Sequence, residues 1–147
     1  MSEKDIKEFY KSAKKYCEFV SNNVITDDNI EELMYLMLDS FAKGLLLPDV
    51  EPDTEDDPVK WEKPNEIIID LPKTGYWMIF DPFVDEEPVC GDLLDDLSDI
   101  RDDLLEGIYD YEAGFVNNAV FEWKLLHHAH WGNHAVAAVK ALQHLRD

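Results

Sequence analysis

Between Gly91 and Leu145, apolar side chains recur at intervals of three and four residues in two long stripes, with only Glu112-Ala113-Gly114 between them. Leu93, Leu97, Ile100, Leu104 and Ile108 form the first stripe. Val116, Val120, Trp123, Trp131, Ala138 and Leu145 form the second. That period belongs to a helix with one buried face, and so short a link folds two helices back on each other as an antiparallel pair. Helices are therefore predicted over about 91–111 and 115–145. Upstream, Ile6, Phe9, Ala13, Cys17 and Val20 predict a helix over about 3–22. Ile30, Leu33, Met37, Phe41 and Leu45 predict another over about 27–46, started by Thr26 ahead of Asp27-Asp28 and ended by Pro48. The expectation is an all-α or mainly α chain: a four-helix bundle-like single domain spanning residues 1–147.

The stretch between the second and third helices has a different character. Residues 48–65 hold Pro48, Pro52, Pro58 and Pro64 among acids, which reads as a surface loop or linker. Glu66–Leu71 and Tyr76–Phe80 are β-branched and aromatic runs around Pro72-Lys73-Thr74-Gly75. They allow a short β-hairpin there, with a helical reading of 66–80 still open. Trp61, Tyr76, Trp77 and Phe80 are expected to pack in the core rather than face a partner.

Charge narrows the function classes. Thirteen bases against thirty-three acids leave a formal net charge of −20, which repels nucleic-acid backbones and anionic membranes and attracts cations and basic proteins. The acids cluster: residues 49–57 hold six acids and no base, and residues 85–112 hold twelve acids with Arg101 as the single base. No apolar run is long enough to span a bilayer, and the start of the chain does not read as a secretory signal. Cys17 and Cys90 lack metal or redox spacing, so two reduced thiols in a cytoplasm are expected.

The last helix carries the unusual chemistry. His127 and His134 fall within its apolar face and His130 at its edge. Imidazoles in such a position are costly unless their nitrogens find partners. Pairing the helices about residue 113 or 114 brings Asp96, Asp99 and Asp103 alongside, so carboxylate–imidazole and carboxylate–indole bonds to His127, His130, the Trp131 indole or His134 are expected. Asp96→Asn is then expected to destabilise and Asp110→Asn to do little. Two readings stand for the cluster. One is a buried network that sets helix register. The other is a transition-metal site with Asp96, Asp99, His127, His130 and His134 as ligands, His130 and His134 having the helical spacing of a ligand pair. The paired Glu-x-x-His of di-iron bundles and the His-Glu-x-x-His motif are both absent, so no cofactor is assigned at this stage. Gly132 marks close packing beside Trp131 or a bend. The acidic loop 49–57 lacks a calcium-loop pattern, and no phosphate loop or nucleophile motif is found.

Three segments resemble a bacterial domain-of-unknown-function family, number 5063: Tyr76 to Phe83 (YWMIFDPF), Gly91 to Gly107 (GDLLDDLSDIRDDLLEG) and Glu122 to Leu142 (EWKLLHHAHWGNHAVAAVKAL). The resemblance covers the last seventy residues well and the first half only in helical pattern, and it departs from the family around Glu66–Pro72. It implies that Asp95, Asp96, Asp99 and Asp103, then Trp123, His130, Trp131, Gly132, His134 and Ala135, carry the family pattern. The family brings no assigned activity. The leading expectation is a non-enzymatic acidic interaction module, immunity- or adaptor-like, whose face of residues 49–57 and the third helix binds a basic protein. The alternative is a metal-dependent enzyme using the aspartate–histidine cluster between the last two helices.

Overall fold

A computed structural model describes residues 2–55 and 59–146, so Asp56, Asp57 and Pro58 of the acidic loop lie outside the described residues. Helices α1 (Ser2–Asn22) and α2 (Ile30–Gly44) come first, followed by strands β1 (Gly75–Met78) and β2 (Val89–Asp92). Helices α3 (Leu93–Glu112), α4 (Val116–Ala129) and α5 (Trp131–Leu145) complete the chain. The fold is mainly α. Helix α3 packs against α1, α4 and α5, and α2 against α1 and α5. Phe9, Trp123 and Trp131 meet at the centre, with the Phe9 ring 4.9 Å from Trp123 and 5.9 Å from Trp131. Trp123 and Trp131 are large rings with one polar atom each, and both atoms are satisfied by backbone. The Trp123 indole donates to the Leu104 carbonyl at 3.1 Å, and the Trp131 indole to the Trp123 carbonyl at 3.0 Å. The expected carboxylate–indole bond is therefore replaced by bonds that keep both rings dry.

Three local readings need correction. The terminal helix is two helices, broken at His130, whose φ of −144° and ψ of −81° leave the helical region. Gly132 makes the break sterically feasible, because a Cβ there would lie 1.9 Å from the His127 carbonyl oxygen. The second helix begins at Ile30: Thr26–Asn29 form a turn in which the Asn29 side chain accepts from Thr26 N at 2.8 Å. The hairpin exists, with different strands. β1 pairs with β2, Tyr76 opposite Gly91 and Trp77 opposite Cys90. The 66–71 run goes elsewhere: Ile25 and Ile69 form a parallel bridge, closed by Ile25 N to Ile68 O and Asp70 N to Ile25 O. Pro72 has no N–H to extend a ladder, and Ile25, buried between two helices, has backbone groups that need partners.

The described part of the 48–65 loop lies fixed on the surface. Asp53 accepts from Asn117 N and Asn118 N, supplying α4 with the N-terminal cap that Phe115 lacks, and the Asn118 side chain accepts from Asp53 N and Thr54 N. Arg101 is buried, with bonds to the Asn65 carbonyl at 2.7 Å and to Asp102 at 3.4 Å. Asp110, where replacement by Asn is expected to do little, is 2% exposed. No helix among the described residues is long and apolar enough to cross a membrane.

Candidate functional site

Helix α3 starts where Asp92 caps it, its carboxylate accepting from Leu94 N at 2.8 Å. One helical face then carries Asp96, Asp99 and Asp103 towards the α4–α5 break, where His130 stands at the joint and His134 in the first turn of α5. His130 Nδ1 lies 2.6 Å from Asp103 Oδ2, and His134 Nδ1 lies 2.7 Å from Asp96 Oδ1. An ionised carboxylate only accepts, so in both rings Nδ1 carries the donated hydrogen. Both Nε2 atoms then face Asp99: its Oδ2 is 3.2 Å from His134 Nε2 and 3.8 Å from His130 Nε2.

The cluster is graded by depth. The Asp96 side chain is 5% exposed and that of Asp103 16%, whereas Asp99 and His130 are 42% exposed. The acids that orient the rings lie inside, and the Nε2–carboxylate trio opens to solvent. Among the described residues Asp99, His130 and His134 each offer one ligand atom, all within 4.8 Å of one another. The hydrogen bond from Asp96 raises the His134 pKa; burial opposes it, and the charges of Asp96, Asp99 and Asp103 reinforce it. Burial raises the Asp103 pKa, partly offset by the bond to His130.

A further residue, not singled out for the site from the sequence, joins the cluster from β1. The Tyr76 hydroxyl donates to Asp96 Oδ2, leaving both oxygens of that carboxylate engaged. Burial first, then this bond, drives the phenol pKa well above its ordinary range, so the hydroxyl remains a donor. Tyr76 stood within the YWMIFDPF segment, but nothing in the local pattern points from a strand to a carboxylate twenty residues on.

The other expected residues are distributed differently. Asp95 is exposed. His127 turns away from the acids: its Nε2 lies 2.9 Å from the Phe41 carbonyl, and its ring packs between Phe41 and Trp131. Gly44 leaves room for that ring, since a Cβ there would come within 2.3 Å of it. Trp123 and Trp131 are fully buried core, and Gly132 serves the bend. Trp77 and Phe80, expected in the core, are 76% and 79% exposed. No curated protein and no solved structure matches the chain. A family model described as "Domain of unknown function (DUF5063)" matches residues 1–147, the whole chain.

Proposed function

The chain belongs to the DUF5063 family, a domain of unknown function, and from the chemistry of its own cluster we propose that it binds a first-row divalent transition metal through Asp99, His130 and His134. One observation carries the reading: both imidazoles are anchored at Nδ1 by carboxylates while both Nε2 atoms converge on Asp99 Oδ2. Metal-binding histidines typically have this second partner, which fixes the ring and its tautomer. The two acid–imidazole spacings are compatible: ligand atoms bound at about 2.0–2.1 Å in tetrahedral geometry stand roughly 3.3 Å apart, and Asp99 Oδ2 lies 3.2 and 3.8 Å from the two Nε2 atoms. Two imidazoles and a carboxylate suit zinc, iron or manganese. Three protein ligands on an accessible face leave a position for water or substrate, as in catalytic rather than structural centres. A metal held there would act as a Lewis acid and lower the pKa of bound water. Asp96, Asp103 and Tyr76 would hold the rings in place without touching the ion.

The test is elemental analysis of the untagged protein, followed by titration of chelator-treated protein with Zn(II), Co(II), Fe(II) and Mn(II). One equivalent is expected, with a Co(II) visible spectrum that disappears in His130→Ala and His134→Ala. Asp96→Asn should weaken affinity about 10- to 100-fold, as loss of an orienting partner does. Absence of stoichiometric metal in the isolated protein, together with no saturable binding in any titration, would leave the cluster as a network that sets the register of α3 against α5.

A further inference from the structure

The β1–β2 hairpin presents its largest apolar side chains to water. Trp77, Phe80 and Phe83 are 76%, 79% and 96% exposed, and Ile79, Val84 and Val89 are exposed along the same hairpin. Scattered surface hydrophobes need no explanation, but six large exposed apolar side chains within the thirteen residues 77–89 mark an interaction site. The segment is also ordered at both ends. At the tip, Asp81 accepts from Phe83 N at 3.0 Å through its side chain and from Val84 N at 3.2 Å through its carbonyl, and Glu86 accepts from Asp81 N at 3.1 Å. At the base, Tyr76 is fastened to Asp96, and Leu93 N donates to the Thr74 carbonyl at 2.8 Å. Phe83 is thus held outward on a turn whose ordering cost is already met, which favours binding.

Charge selects the occupant. Asp81, Asp85, Glu86 and Glu87 stand among the aromatics, and no Lys, Arg or His occurs between Lys73 and Arg101. Anionic lipid and nucleic acid are repelled by such a surface, and two copies of the hairpin would oppose acid to acid. We infer that the β1–β2 hairpin is a docking element for a cationic, amphipathic segment of another protein, whose apolar side chains cover Trp77, Phe80 and Phe83 while its basic residues meet Asp85, Glu86 and Glu87. This inference is independent of the metal reading.

The experiment measures binding of the full chain, with chelator present, to a fluorescent Leu/Lys amphipathic peptide and to its Leu/Glu counterpart. Sedimentation equilibrium and zwitterionic phosphatidylcholine vesicles report the competing occupants. The informative variant is Phe80→Ser/Phe83→Ser, which leaves the charge unchanged and alters only exposed side chains, so its unfolding midpoint should match the parent. The Leu/Lys peptide should bind with salt-sensitive affinity that falls about tenfold or more in this variant, as for aromatic anchors. Asp85→Asn/Glu87→Gln, which spares the turn bonds, should weaken it as well. The inference is overturned by undiminished peptide affinity in Phe80→Ser/Phe83→Ser, by equal binding of the Leu/Glu peptide, by adsorption to the vesicles, or by a dimer that this variant dissociates.

Discussion

Gly91 faces Tyr76 across the β1–β2 ladder, and a Cβ on Gly91 would lie 2.5 Å from the tyrosine ring. The missing side chain lets the ring lie over the opposite strand and place its hydroxyl on Asp96. Gly91→Ala should therefore displace Tyr76. Tyr76→Phe removes the donor directly and should lower stability by about 1–2 kcal/mol, leaving a buried carboxylate oxygen short of a partner. The check is a double-mutant cycle by urea unfolding. Gly91→Ala should cost less in the Tyr76→Phe background than in the parent, and strictly additive losses would mean that Gly91 acts elsewhere.

Asp96 and Asp95 are sequence neighbours with opposite surroundings. Asp96 is buried and holds both His134 and Tyr76, and Asp95 is exposed. Asp96→Asn should destabilise by about 1–3 kcal/mol, and Asp95→Asn by no more than about 0.5 kcal/mol. Chemical denaturation of the two variants measures the contrast.

The pH dependence of the metal-free protein follows from His134. Asp96, Asp99, Asp103 and His130 face its ring, and its folded-state pKa is raised above the ordinary histidine value. The protonated ring is thus favoured by folding. That stabilisation is complete below the unfolded value of about 6.5 and is lost as pH rises through the raised folded value. Asp103 contributes in the same sense at lower pH, its folded pKa also being raised. Urea midpoints should fall from about pH 6 to about pH 8, with a shallower fall in His134→Gln. An unchanged slope in that variant would assign the dependence to other groups.

Gly132 carries no ligand atom but controls the placement of the candidate ligands. Alanine there would drive a methyl group into the His127 carbonyl at 1.9 Å, and backbone cannot yield as a flexible side chain can. Gly132→Ala should open the α4–α5 bend, cost at least about 1–3 kcal/mol as other overpacked sites do, and reduce metal uptake. Gly114→Ala is the comparison. It meets nothing within 4 Å but stands at φ +95°, so it should cost stability through backbone strain alone and leave metal uptake intact.

Much of this architecture is legible in residue order because its causes are local. The three–four stripes of Leu93–Ile108 and Val116–Leu145 announce two long helical segments, and the three-residue link makes them antiparallel. That pairing brings aspartates of α3 beside imidazoles of the last segment. Counting equal distances from residue 113 or 114 places Asp103 near Lys124 and Asp96 near Trp131, whereas Asp103 meets His130 and Asp96 meets His134. Such a count assumes one straight helix, and the break at His130 changes both the direction and the register of everything after it. His127, on the near side of the break, faces α2 and takes the Phe41 carbonyl.

Periodicity along the chain thus determined that helices form, which faces are apolar, and that acids and histidines share a neighbourhood. The first two depend on residues within a few positions of one another, and the third on the short link that folds the two helical segments together. Tertiary structure alone decided which carboxylate holds which ring nitrogen, that Tyr76 completes the Asp96 pair, that β1 takes Val89–Asp92 as its partner strand, and that Trp77, Phe80 and Phe83 stand in water. The pairings require two distant segments to arrive within a few ångströms of each other, the exposed rings follow from where the hairpin is then held, and a bend or a one-residue shift in register redirects every side chain beyond it.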